Sequence, residues 1–572
     1  MNKRGFLSIF AVFLAVAPLA AQKAPAPAPP PAQKPPSQER PLPPVSESVE
    51  VSVTNVEVVV TDSKGRRVPD LTRDDFEVYQ DGTLQKITNF YAVSGGKVVL
   101  EDGKVVALDS PAAAAELPVE LKARYILFVD NLNIQPQNRN RMFERLQDFV
   151  RQTIGTRAEA MVVTYNRSLK VRRKFTSEPS EVIAMLEEIK KETGGGTTMA
   201  SERRDALHQI DESQSAAEAS QIARTFARSQ RNDLEFLVDA LKNTMNSLAG
   251  IEGRKVLVYV SEGIPSSAGL ELFDQIQRKY SNQAGTATLE QFEFDMNARY
   301  AGIIQSANAQ GVTIWALDAS GLTTDSLVSA ENRSFDTRPN DFMLRQNYQA
   351  PLQLMAEQTG GMAAVNTNDW KKSLDELAAD FSNFYSLGYR TTKAAVDRPH
   401  SIEVKVKRKG LTVRARKGFL EKTIETRAAE GVVASLQYPR DENPLGISVS
   451  VGTQKPHDRE TFAVPVRISV PIGKLGLIPV GDHYEATFYV YVVARDTAEK
   501  QSDLAVQRQV VTVPTQDLDK AQHRDWYYDF TMTVGPGAQR IAFAVRDGVS
   551  NLISYYQKNL FISLLPAETK KG

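Results

Sequence analysis

The chain has 572 residues, with 69 Lys and Arg against 69 Asp and Glu, a formal net charge of zero. At roughly 150 residues per domain this is three or four folding units, and the zero balance argues against a general nucleic-acid binder, whose surface carries net positive charge. There is no cysteine, which excludes disulfides, thiolate metal sites, a cysteine nucleophile and lipobox anchoring.

Lys3 and Arg4 precede an apolar run from Phe6 to Leu19 that ends in Ala20 and Ala21. This is the pattern of a signal peptide over residues 1–21, of the simple bacterial type, cut near residues 20–22. The run is shorter than the ~20 residues that span a bilayer, and no later stretch is long and apolar enough. The expectation is an exported protein, periplasmic or extracellular, with no transmembrane segment after signal cleavage. A Pro-rich linker follows over 22–48, with ten prolines between Lys23 and Pro44. Proline fixes φ and lacks an N–H, so this stretch reads as an extended, semi-rigid spacer.

Residues 49–95 read as a small β domain. Val51, Val53, Val56, Val58 and Val60 alternate roughly with polar residues, and Asp62-Ser63-Lys64-Gly65 and Asp81-Gly82 are turn signals between short strands. Residues 121–395 change character. Tyr125-Ile126-Leu127-Phe128-Val129-Asp130 is a continuous apolar run ending in a carboxylate, as in a central parallel strand. Further buried strands are expected over Ala160–Tyr165, Val256–Val260 and Val312–Leu317, and a short edge strand over Leu169–Phe175. Helical patterns lie between them: Met142, Leu146, Phe149 and Val150 share one face, and Val182, Leu186 and Ile189 another. Strands alternating with helices predict an α/β doubly wound, mostly parallel sheet. Ligands of such sheets bind outside the carboxyl ends of the strands, which places Asp130 at the functional edge. The stretch of about 201–247 reads as a helical insertion of balanced charge. Residues 396–422 predict a β-hairpin, Ile402–Val406 and Leu411–Ala415 about a Lys409-Gly410 turn, and 435–566 a β-sandwich of about seven short strands.

The familiar catalytic patterns are missing. Five histidines are scattered, with no His-Glu-x-x-His spacing, and there is no Gly-x-Ser-x-Gly elbow, Walker loop or dinucleotide fingerprint. The chain therefore reads as non-enzymatic.

Three stretches carry a resemblance: Val68-Pro69-Asp70-Leu71-Thr72-Arg73-Asp74-Asp75-Phe76-Glu77-Val78 with Asp81-Gly82; the strand end at Asp130; and Phe384-Tyr385-Ser386-Leu387-Gly388-Tyr389 with Val413-Arg414-Ala415-Arg416-Lys417-Gly418. Over roughly residues 50–420 the chain resembles a von Willebrand factor type A (VWA) protein, more narrowly the exported VWFA-related proteins of the Acidobacteria type. The resemblance implies a VWA-like sheet flanked by the two β regions, and a protein partner bound at a metal-ion-dependent adhesion site. That site's pattern is Asp-x-Ser-x-Ser, a later Thr, and an Asp after the fourth strand. Here Asp130 matches the first Asp, but Leu132 and Ile134 stand at the serine positions and cannot ligate. Thr197 or Thr198 would supply the threonine, and Glu262 replaces the last Asp. A hard Mg²⁺ or Mn²⁺ takes oxygen ligands in an octahedron, so one reading is a degenerate site of Asp130, Asn133, Thr197 and Glu262. The other has no metal or cofactor: Asp130 caps the following helix and Glu262 is a strand-end carboxylate.

The functional expectation is a non-catalytic, adhesion-like protein–protein interaction module with an unidentified protein partner and no nucleic acid. Two alternatives come from other features. One is an envelope-assembly scaffold acting through the β domains. The other is a carbohydrate-binding accessory using Trp526-Tyr527-Tyr528 and Tyr555-Tyr556, which otherwise read as strand core. Lys405, Lys407, Lys409, Arg414 and Arg416 form either a patch for an anionic partner or the solvated face of an edge hairpin.

Overall fold

A computed structural model describes residues 52–95, 97–100, 105–107, 122–251, 253–281, 292–322, 341–391, 396–438, 440, 442–458, 460–498 and 500–562. The expected signal peptide and Pro-rich linker lie outside the described residues. The chain forms two compact units, one of Val51–Thr423 and one that includes Ile424–Gly572.

The first unit opens with β1 (Ser52–Thr61), β2 (Phe76–Gln80), β3 (Thr83–Gln85), β4 (Ile87–Ser94), β5 (Lys97–Leu100) and β6 (Val105–Ala107). An α/β stretch follows: β7 (Ala123–Asp130), α1 (Pro136–Thr153), β8 (Ala158–Tyr165), β9 (Leu169–Thr176), α2 (Pro179–Lys190), α3 (Gly196–Glu212), α4 (Ala216–Asn246), β10 (Arg254–Ser261), α5 (Leu270–Lys279), α6 (Asn297–Ala309), β11 (Val312–Asp318), α7 (Asp341–Gln358), β12 (Ala363–Ala364) and α8 (Trp370–Ser382). The chain then returns to β structure in β13 (Asn383–Thr391), β14 (Arg398–Val406), β15 (Thr412–Ala415) and β16 (Gly418–Glu421).

The α/β stretch forms one sheet in the order β12-β11-β10-β7-β8-β9. Its strands are parallel except for β9, which runs antiparallel to β8 at the edge. Both faces of β7 are covered, which is why its sequence is a continuous apolar run rather than an alternating one. Tyr125, Leu127 and Val129 face a core with Met142, Phe143 and Leu146 of α1 and Leu186 and Ile189 of α2. Chain order reverses between β7 and β10, so a crevice opens outside their carboxyl ends. The balanced-charge stretch of about 201–247 lies on α3 and α4. They turn Ile210, Ala223, Ala227, Leu234, Leu237 and Leu241 inward and their charges outward.

The remaining strands make two antiparallel sheets, β15-β1-β13-β4-β5-β6 and β16-β14-β2-β3. Val56, Val58, Val60, Phe76, Val78, Tyr385, Leu387, Tyr389, Ile402 and Phe419 form their common core. The small β domain expected over 49–95 is thus completed by strands from the end of this unit. The middle strand beside β1 is β13, from more than 300 residues later, in register from Ser52 opposite Thr391 to Val58 opposite Tyr385. The expected 396–422 hairpin does not form. β14 pairs with β2 and β16, whereas β15 pairs with β1, so the two halves of the supposed hairpin belong to different sheets. The physical reason is the apolar face: Ile402 and Val413 reach the core only if their strands sit on opposite sides of it.

Gly360 shows how tightly the two parts of this unit meet: at φ +82° a Cβ there would fall 2.7 Å from the Arg416 backbone nitrogen, just after β15. A Cβ at Gly361 would fall 1.9 Å from the Ile314 carbonyl oxygen, so the chain after α7 can pass β11 only as glycine. At this turn the Lys417 N–H donates to the Gln358 carbonyl at 3.1 Å.

The second unit holds α9 (Ile424–Ser435), β17 (Ser448–Val451), β18 (Lys455–Pro456), β19 (Phe462–Pro471), β20 (Ile478–Val480), β21 (His483–Asp496), β22 (Ala505–Pro514), α10 (Leu518–Gln522), β23 (Asp525–Val534), β24 (Gly537–Asp547) and β25 (Ile553–Ile562). One sheet joins β17, β18 and β23 to β19; the other runs β22-β21-β24-β25, with β20 on β21. Val464, Val466 and Ile468 of one face Phe488, Val490, Phe543 and Val545 of the other. Outside the second sheet, Ala428, Val432 and Leu436 close over Tyr491, Val493 and Tyr555. The aromatic residues therefore split. Trp526 and Tyr528, with ring planes 9° apart, pack against the inter-sheet core, and Tyr555 lies under α9. Tyr527 alone of these faces out, beneath the Arg467 guanidinium at 5.2 Å. This arrangement is strand core rather than an aromatic platform.

Candidate functional site

Asp130 ends β7 and has no exposed surface. Its Oδ1 accepts from the Leu132 N–H at 3.2 Å and the Asn133 N–H at 3.1 Å. Its Oδ2 accepts from Asn133 Nδ2 at 2.9 Å and from the Tyr259 hydroxyl, on the adjacent β10, at 2.6 Å. A carboxylate has about four lone-pair directions, and here each meets a protein donor. Burial raises the Asp130 carboxyl above its ordinary value, against the four hydrogen bonds that pull it down.

The residues expected around Asp130 are only partly gathered. Asn133 reaches it directly. Its backbone oxygen also accepts the Glu262 N–H at 2.9 Å, which ties the loop after β7 to the loop after β10. Glu262 turns away toward α1: its Oε1 accepts from the Gln135 N–H and from Asn138 Nδ2, both at 2.8 Å. It closes the helix N-terminus from another strand, where a carboxylate also meets the positive end of the helix dipole. Burial raises its carboxyl too. Thr197 and Thr198 are exposed on the first turn of α3. Leu132 and Ile134, at the expected serine positions, are apolar and buried, with at most 2% exposed. As arranged, this set does not fit a Mg²⁺ or Mn²⁺ ion. Asp130 offers no oxygen without a donor, Glu262 faces the helix, and the threonines do not join them. Among the described residues no three His, Asp or Glu side chains converge as a metal-binding group.

Two features of this edge are absent from the sequence reading. Arg139, fully buried on α1, donates to Asn131 Oδ1 at 3.1 Å and to the carbonyls of Lys190 at 3.1 Å and Glu192 at 2.9 Å, which locks the loop before α3 onto the loop after β7. Gly196 lies in that contact: a Cβ would sit 2.4 Å from the Ile134 carbonyl oxygen. The triple glycine at 194–196 was the available signal, as a place where backbone meets backbone. Asp318 ends β11 as Asp130 ends β7. It is 1% exposed and accepts from the Ser320 N–H at 2.9 Å, Ser320 Oγ at 2.6 Å and Gln349 Nε2 at 2.8 Å. The same apolar-run-then-Asp pattern marks it in the sequence.

Between these loops a cleft of about 270 Å³ opens at the carboxyl ends of the strands, lined by Leu132, Met199, Arg203, Phe226, Glu262 and Tyr348 among others. Its walls come from α3, α4 and α7 as well as the strand ends, so the helices of the 201–247 stretch form one side of it. Burial pushes the Tyr348 phenol up to about 12, so it stays a neutral hydrogen-bonding group at physiological pH. The lining mixes apolar and charged side chains; Arg203, 40% exposed, lies 4.0 Å from the buried carboxylate of Glu271.

No family model matches the chain, and no curated protein matches it. Solved structures align at low similarity. An aerotolerance-related membrane protein from Bacteroides fragilis, carrying multiple mutations to serine, is 11% identical, with 45% of this chain and 98% of that one covered, at a TM-score of 0.23. The conserved hypothetical protein BatB from Bacteroides thetaiotaomicron is 9% identical, with 46% and 97% covered, at 0.21. The three N-terminal domains of the type V pili tip protein Mfa5 from Porphyromonas gingivalis are 10% identical, with 91% and 78% covered, at 0.22. Such scores fix neither a family nor a function for this chain.

Proposed function

We propose that the chain is an exported, non-catalytic protein-interaction module built on a VWA-type sheet. In this reading its partner docks at the carboxyl-end edge of β7, β10 and β11 without a bridging ion. The observation that supports it is how the edge carboxylates are used. Asp130 and Asp318 accept hydrogen bonds on both carboxylate oxygens and Glu262 accepts two on Oε1, so these groups serve first to stiffen the loops. The cleft sets Leu132, Met199, Phe226 and Leu344 beside the guanidinium of Arg203, which is 4.0 Å from Glu271 yet 40% exposed, a pairing suited to a protein segment bearing an acidic side chain. An adhesion-like role needs no group poised to attack a bond, and the sequence supplies none of the familiar catalytic patterns.

The test is affinity enrichment of envelope proteins on the mature chain, with wild type and Arg203→Glu side by side, each in Mg²⁺ and in EDTA. The expected result is a specific partner that survives EDTA and is lost on charge reversal at Arg203. A partner released by EDTA but indifferent to Arg203→Glu would return the site to metal chemistry. Partners indifferent to both treatments would shift the function to the β domains and to a scaffold role.

A further inference from the structure

The opposite end of the α/β sheet holds a second cavity, of about 180 Å³. It lies at the amino ends of β10 and β11, where they meet β1, β13 and β15, and all of its walls belong to the first unit. Arg254, Arg414 and Arg416 line it, together with Glu57 and Asp380.

The charges do not balance. Asp380, 4% exposed, takes both Arg67 and Arg414. Glu57 takes Arg254 at 2.6 Å, whose guanidinium lies over the rings of Phe384 at 3.8 Å and Phe381 at 4.3 Å. Both carboxylates are thereby committed. Arg416 has a hydrogen bond to the Asn55 carbonyl, and its Nε is buried without an acceptor; NH1 of Arg414 is likewise buried without one. A guanidinium stays charged at any physiological pH, so the three lining arginines share two carboxylates, and each buried N–H without an acceptor is unfavourable. Beside the cavity, burial and then the neighbouring Arg124 push the Lys255 ammonium down to about 8, against Glu57, with smaller downward effects from Lys422 and Arg416.

We propose that this cavity is a binding site for a small oxyanion, a carboxylate or phosphate held by Arg416 and Arg414. A guanidinium presents N–H groups in a planar fork that matches two oxygens of such an anion. The volume corresponds to about six waters at roughly 30 Å³ each, enough for inorganic phosphate or a short dicarboxylate and too small for a folded partner. An anion here would neutralise the surplus charge and tie β15 to the amino ends of β10 and β11. This inference is independent of the proposed protein-binding edge, which lies at the other ends of the strands.

The experiment is calorimetric titration of the mature full-length chain with inorganic phosphate and, separately, with succinate, at constant ionic strength in chloride. Wild type is compared with Arg416→Gln, Arg416→Lys and Arg203→Glu. The expected result is saturable binding of at least one anion, weakened tenfold or more in Arg416→Gln. Arg416→Lys keeps the charge but loses the fork, so it should lie between the two. Arg203→Glu should bind as wild type does, which separates this site from the cleft. Which anion binds assigns the class, planar carboxylate or tetrahedral phosphate. Saturation by neither anion would mean that water fills the cavity and would overturn the proposal. Equal binding by wild type and both Arg416 variants would do the same. Arg416→Gln removes one cation from a crowded cluster and should fold; Arg416→Lys gives the same comparison with charge retained.

Discussion

Replacing Asp130 separates a hydrogen-bonded anchor from a metal ligand. Asp130→Ala strips acceptors from the Leu132 and Asn133 N–H groups, the Asn133 amide and the Tyr259 hydroxyl. A buried donor left unsatisfied costs about 1–3 kcal/mol. Leu132 and Tyr259 are almost wholly buried and Asn133 is half-buried with access to water, so the sum is about 4 kcal/mol. Asp130→Asn differs. Its Oδ1 can keep both backbone donors, while its Nδ2 donates to the Tyr259 oxygen and to an Asn133 amide turned end for end. It also removes a charge from a site where burial disfavours one, and the loss should stay within about 1 kcal/mol. A carboxyl whose folded value stands above its unfolded value binds its proton more tightly when folded. Its contribution is therefore full below the ordinary 3.8 and fades as pH rises through the folded value. Asn has no such proton, so wild type should gain on Asp130→Asn as pH falls through that value. Urea unfolding followed by tryptophan fluorescence measures this, because Trp315 and Trp370 lie in the same core as β7. The remaining tryptophan, Trp526, belongs to the other unit and should show an unchanged transition. An Ala variant as stable as wild type would refute the anchor. So would a Mg²⁺-dependent midpoint in wild type that Asp130→Asn abolishes, because only a ligated ion predicts it.

Other substitutions probe the same architecture. Glu262→Ala removes two acceptor contacts from the start of α1 and should lower stability by about 1–2 kcal/mol, with faster amide exchange confined to the first turn of that helix. Gly196→Ala drives a methyl against the Ile134 carbonyl; overpacking of this kind costs about 1–3 kcal/mol. Exchange at residues 131–135 should rise with it, and unchanged protection there would mean that α3 simply moves aside. Arg254→Ala breaks the pair with Glu57 and empties the space beside Phe381 and Phe384. Because Glu57 is 36% exposed and can be rehydrated, the loss should be about 2 kcal/mol, below that of a fully buried pair, read by the same urea midpoint. Arg416→Gln without added anion should be at least as stable as wild type, since it removes a half-buried cation whose Nε lacks an acceptor; a midpoint well below wild type would show that the Arg416 cation is already compensated.

Local pattern made much of the fold legible. The apolar run Tyr125–Val129, closed by Asp130, marks a strand buried on both faces, and the same signature recurs at β8, β10 and β11. The alternation of Val56, Val58 and Val60 identifies a strand with one buried face. What pattern could not supply is pairing between segments far apart in the chain. β1 beside β13, and the division of residues 402–415 between two sheets, are decided by where apolar faces can be buried together, and that depends on the whole chain. The site divides in the same way. Asp130, Asn133 and Glu262 were identifiable as strand-end polar groups, but a carboxylate looks the same in sequence whether its oxygens meet an ion or four N–H and O–H donors. The donors that settle it include Tyr259, on a strand 129 residues away.

By itself the sequence determined the composition-level exclusions, the alternation of strands and helices and the carboxylates at the strand ends. These follow from side-chain chemistry and short-range periodicity, which a few consecutive residues contain in full. Only the tertiary structure decided that the β segments on either side of the α/β sheet share one core, that the edge carboxylates are turned inward, and that Arg414 and Arg416 line a cavity. Each of these depends on burial and on the partner of a polar group, and both are properties of the assembled chain rather than of any segment of it.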